Sequence, residues 1–118
     1  MAKFEKKLKG NFDEVLNKIE DGILSGSLSA NLEDSSDFKD GLVRCSVRVF
    51  ERYSYSGSNR VSLSVTLFQN SNEEIFISAI TSGGSQGVLF KINRIGENTF
   101  LFIRKVLFKL ANNNLFLY

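Results

Sequence analysis

The chain has 118 residues, of which 42% are hydrophobic and 24% charged. That is material for one hydrophobic core, so a single domain over residues 1–118 is expected and wholesale disorder is not. A net charge of only +2 weighs against nucleic acid and anionic membranes, which call for clustered Lys and Arg. The absence of His excludes imidazole metal sites and general bases. The lone Cys45 excludes an internal disulfide and points to a reducing, cytoplasmic compartment.

The first residues, Met-Ala-Lys-Phe-Glu-Lys-Lys, lack the apolar run of a signal peptide, and no later stretch approaches the roughly 20 apolar residues of a membrane helix. Lys3 to Lys9 alternates around Phe4 and Leu8, which suits either a short edge strand or an extra helical turn. Gly10-Asn11 breaks that pattern. Asn11 is a good N-cap, with Glu14 three residues on and Asp13 beside it in the first turn. Phe12, Val15, Leu16, Ile19 and Ile23 follow at helical spacing, and Gly22 or Gly26 can end the helix.

From Ser25 the period changes to two. Leu28, Ala30 and Leu32 predict a strand, and Glu33 to Asp37 an acidic turn. Val43, Cys45, Val47 and Val49 alternate with Arg44, Ser46, Arg48 and Phe50, which puts the valines and Cys45 on the core side and the arginines on a wet side. Ser54 to Asn59 reads as a hairpin loop. Val61, Leu63, Val65 and Leu67 form the inner side of the next strand. Asn70-Ser71-Asn72 turns into a strand over Glu73 to Thr81, and Val88, Phe90 and Ile92 suggest a fifth strand or the approach to a final helix. That helix, from Glu97 to about Asn112, has an apolar stripe of Phe100, Ile103, Leu107 and Leu110. Leu101, Phe102, Val106 and Phe108 spread beyond it, and Arg104, Lys105 and Lys109 supply the polar side.

The expected architecture is α+β: an antiparallel meander sheet of four to five strands covered by an N-terminal and a C-terminal helix. A shortened helix-grip fold, with a cavity between final helix and sheet, is the alternative.

Several motifs bear on chemistry. Gly83-Gly84-Ser85-Gln86-Gly87 has the spacing of a nucleophile elbow, but the elbow needs a following helix and a general base, and the chain has no His. No catalytic residue is assigned. Successive glycines can instead turn backbone N–H groups toward one oxyanion, so Ser82, Gly83, Gly84, Ser85 and Gln86 are a candidate anion site. Arg44, Arg48 and Arg52, with Phe50 and Phe68, have the outline of a single-strand nucleic-acid platform; solubility and cross-strand pairing explain the arginines more simply. Glu33, Asp34, Asp37 and Asp40 do not have EF-hand spacing. Neither a metal nor a cofactor is expected.

Taken together, Lys9-Gly-Asn-Phe-Asp-Glu14, the Val43 to Tyr53 stretch, Asn59-Arg-Val-Ser-Leu63 and Ile80-Thr-Ser-Gly-Gly-Ser-Gln86 resemble a small bacterial family known only as domain of unknown function 6054. The likeness runs to about Phe100, and Leu101 to Val106 departs from the family pattern. It implies a bacterial cytoplasmic protein and brings no activity or site residues.

The sequence thus points to a non-catalytic interaction or scaffold domain that self-associates. Phe102, Val106, Phe108 and Phe116 are the candidate interface of a two-fold homodimer, because a helix covering one sheet needs only one apolar stripe. The alternative is a small-ligand carrier or sensor, with a pocket between the C-terminal helix and the sheet.

Overall fold

A computed structural model describes residues 2–26, 30–53, 60–71, 73–82 and 116–117. Strand β1 (Ala2–Lys9) leads into helix α1 (Phe12–Gly26). Then come β2 (Asn31–Asp40), β3 (Val43–Tyr53), β4 (Arg60–Gln69), β5 (Glu74–Ser82) and the two-residue β6 (Phe116–Leu117). The sheet order is β2-β3-β4-β5-β1-β6, and every neighbouring pair is antiparallel. The class is α+β, with the predicted meander running from β2 to β5. The predicted C-terminal helix lies outside the described residues.

Local chemistry explains the boundaries. The Lys3 to Lys9 alternation resolves as a strand, because all eight residues of β1 pair with β5. Asn11 caps α1: its Oδ1 accepts the Glu14 N–H at 3.0 Å, and its carbonyl accepts the Val15 N–H at 3.0 Å. Glu14 and Lys18 pair along the helix at 3.0 Å. The helix runs through Gly22 and ends at Gly26.

The acidic segment is the first correction. Glu33 to Asp37 is strand, not turn, and the reversal falls at Gly41-Leu42, between the paired residues Asp40 and Val43. Gly41 has φ +60°, a value that glycine adopts without strain. Leu42 does not share the positive φ, which fits a type II′ hairpin. Glu73, also at positive φ (62°), ends the turn before β5.

The second correction concerns β3. The core between α1 and the sheet holds Phe12, Val15, Leu16, Ile19 and Ile23 of the helix against Leu8, Leu63, Val65, Leu67, Ile75, Ile77 and Ala79. The β3 residues on this side are Ser46, Arg48 and Phe50, all buried. The valines and Cys45 lie on the opposite side, where Val43 is exposed and Cys45, Val47 and Val49 are half-buried. Register explains it: Ser46 stands opposite Leu67, Arg48 opposite Val65 and Phe50 opposite Leu63. No helix among the described residues is long and apolar enough to cross a membrane.

Candidate functional site: the open face of the sheet

The two faces differ in what meets them. On the α1 face the guanidinium of Arg48, 8% exposed, is held on every side. Its Nε donates to Glu20 Oε1 at 2.5 Å, and its terminal nitrogens reach Asp37 Oδ1 at 2.9 Å and the carbonyls of Val47 and Ser36 at 3.0 and 3.3 Å. Ser46 Oγ donates to the same Asp37 oxygen at 2.6 Å. Further along, Arg44 makes a bidentate pair with Asp13 at 2.7 and 3.0 Å and stacks over Phe12, 4.3 Å from the ring centroid.

These contacts shift titrations. The hydrogen bond from Arg44 holds the Asp13 carboxyl below the usual carboxylate range, and those from Ser46 and then Arg48 do the same for Asp37. Both arginines are consumed in fastening α1 to β3. The sequence-based placement of Arg44 and Arg48 on a wet, nucleic-acid-like surface is therefore corrected.

The face turned away from α1 has no cover among the described residues. Strand pairing places Phe38, Cys45, Phe68, Phe76 and Lys7 in one row across five strands. Val47, Thr66 and Ser78 form the next row, with Val49, Ser64 and Ile80 beyond. Phe38 is 66% exposed, and Val43, Phe68, Phe76 and Ile80 each keep more than a third of their surface open. The Phe68 and Phe76 rings pack tilted, 6.1 Å apart, and the Lys7 ammonium lies 5.5 Å from the Phe76 centroid. Around them is a shallow depression of about 520 Å³, lined by residues including Glu5, Lys7, Thr66, Phe68, Phe76 and Ser78.

The other sequence-derived candidates fall as follows. Ser82 closes β5, where its carbonyl and hydroxyl meet the Ser62 hydroxyl at 3.3 and 2.8 Å. Gly83, Gly84, Ser85 and Gln86 lie outside the described residues, as do Phe102, Val106 and Phe108. Phe116 belongs to β6, with its backbone beside Lys9. Cys45 is a free thiol, half-buried on the open face and not in the core. Among the described residues no group of three or more carboxylates and Cys is arranged to hold a metal ion.

With this geometry in view, the family can be stated. The chain belongs to the family of unknown function DUF6054, whose model matches residues 1–110. The match extends past Phe100, so it takes in the Leu101 to Val106 stretch that the motif comparison had set apart. No curated protein matches the chain.

Proposed function

We propose that this member of DUF6054 is a non-catalytic interaction domain. In this reading residues 97–112 form a C-terminal helix that lies across the open face of the sheet, and its outer side binds a second copy of the chain. The observation that carries it is the apolar row Phe38–Cys45–Phe68–Phe76, which no described element covers, set opposite a face that α1 already fills.

The path of the chain supports the cover. β5 ends at Ser82, beside the Ala2 end of β1, and β6 begins at Phe116, beside the Lys9 end. The intervening residues must travel the length of β1, about 26 Å at 3.3 Å per residue. A helix over 97–112 would be about 24 Å long. Its stripe of Phe100, Ile103, Leu107 and Leu110 suits the open face, which leaves Phe102, Val106 and Phe108, with Phe116, for the second copy. Each large apolar side chain removed from water contributes about 1.5–3 kcal/mol, enough in combination to offset the entropy of association.

Sedimentation equilibrium of wild type and Phe108→Asp tests this. The expected result is a dimer for the wild type at about 100 μM, where micromolar affinities register, and a folded monomer for the variant. A wild type that stays monomeric would sink the self-association. The depression around Phe68 and Phe76 favours one further reading, a small-ligand carrier in which residues 97–112 close over a bound molecule. Native mass spectrometry of freshly purified protein separates the two: a retained small molecule supports the carrier, a bare dimer the interaction domain.

A further inference from the structure

Among the described residues of the five long strands, only those of β2 place nothing in the core. All ten of its residues are exposed, and it is the outermost strand on its side of the sheet. By contrast β4 buries Val61, Leu63, Val65 and Leu67, β5 buries Ile75, Ile77 and Ala79, β3 buries Phe50 and β1 buries Leu8. The backbone ladder to β3 is therefore the main hold on β2, and a register shift between Leu32 and Asp34 interrupts it. The polar side-chain tie across that ladder centres on Asp37. Its carboxylate accepts from Ser46 at 2.6 Å and from Arg48 at 2.9 Å, and the neighbouring Ser36 carbonyl accepts from Arg48 at 3.3 Å. The Asp37 side chain is 59% exposed, so water readily takes the place of those partners.

The fastening of α1 bypasses β2. Asp13 holds Arg44 and Glu20 holds Arg48, both on β3, and the apolar core joins α1 to β1, β3, β4 and β5. Loss of β2 would leave these contacts in place. Arg48 would keep Glu20 and the Val47 carbonyl, so no buried charge would be left without a partner. We propose that β2 is a displaceable edge strand, held closed by Asp37. It detaches as a unit about the Gly41-Leu42 turn, while α1 and the rest of the sheet stay folded. Units with few buried apolar contacts open at lower free energy than the core does. Detachment uncovers the backbone N–H and C=O groups of β3 that β2 satisfies, and a strand edge of that kind accepts another strand. This device does not rest on the apolar dimer proposed above.

Native-state hydrogen exchange of the full chain, read residue by residue by NMR at fixed pH, tests it. The β2 amides paired to β3 should share one protection factor, lower than that of the Leu63–Leu67 amides of β4 by about 100-fold or more. Val65→Ala weakens the core, which β2 detachment leaves untouched. It should speed β4 exchange by about tenfold or more and leave β2 exchange within about twofold of wild type. Asp37→Ala removes the tie from the closed form, and β2 exchange should rise by about threefold or more. Ser46→Ala removes half of that tie from the other strand and should act in the same direction. Equal protection of β2 and β4, protection graded inward from the ends of β2, or equal acceleration of both strands by Val65→Ala would each overturn the displaceable strand. β2 exchange unmoved by both Asp37→Ala and Ser46→Ala would overturn the hold at Asp37.

Discussion

The two faces of this sheet solve burial differently. On the α1 side a helix supplies five apolar residues and two carboxylates, and the sheet answers with apolar residues and two arginines. There Arg44 and Arg48 each meet a carboxylate of the helix. On the far side the sheet presents Phe38, Val43, Phe68, Phe76 and Ile80, with the Lys7 ammonium over the Phe76 ring. One face is complete within the described elements, and the other has the composition of half an interface. Which face of a strand is inner depends on what covers it, not on which side holds more valines.

Two residues of β4, three positions apart, give the sharpest way to break that contrast. Val65 is fully buried under α1, whereas Phe68 is 40% exposed on the open face. Val65→Asp strands a charge in the core and should cost about 4 kcal/mol. Phe68→Asp should cost less than half of that. Urea denaturation at constant m-value reads both, and equal losses would mean that the faces are equivalent.

Next in size is the fastening of α1. Arg48→Met leaves Glu20 and Asp37 without their shared partner and should cost about 2–3 kcal/mol. Arg44→Met removes a pair whose Asp13 side chain is 65% exposed, and should cost less than about 1 kcal/mol. A larger loss at Arg44 than at Arg48 would reverse the assignment of the inner network.

The smallest effect is the acid limb. Asp13 and Asp37 titrate lower in the folded chain than ordinary carboxyls do. Their stabilisation is therefore fully present above the unfolded pKa of about 4 and is lost as pH falls through the lower folded values. Asp37→Asn should flatten the fall in stability below about pH 4. An unchanged slope would show that Asp37 carries no such linkage.

Much of this was legible in the sequence. The cap at Asn11, the helical spacing of α1, the alternation of β4 and the order of the meander all follow from local pattern. The orientation of β3 did not, because its two sides compete: three valines and a cysteine against Phe50, a serine and two arginines. A signal was nonetheless present. Asp13 and Glu20 lie seven residues apart on α1, about 10 Å along the helix axis. Arg44 and Arg48 lie four apart on β3, about 13 Å. That correspondence pairs the two elements and turns the arginines inward. The acidic residues of β2 misled for a related reason. An edge strand can be wholly exposed, so Glu33 to Asp37 has a turn-like composition without being a turn. The open face was not legible at all until the register placed Phe38, Cys45, Phe68 and Phe76 in one row.

Cys45 sits in that row and is the only thiol in the chain, so its reaction rate with a thiol reagent reports directly on whether the face is covered. If residues 97–112 lie across it, Cys45 in the wild type reacts at least tenfold more slowly than in the urea-unfolded chain. Ile103→Asp, on the stripe toward the sheet, should release it, while Phe108→Asp, about 120° around the helix from the centre of that stripe, should leave it protected. A wild-type thiol that reacts as fast folded as unfolded would contradict the covered face and the interaction domain built on it.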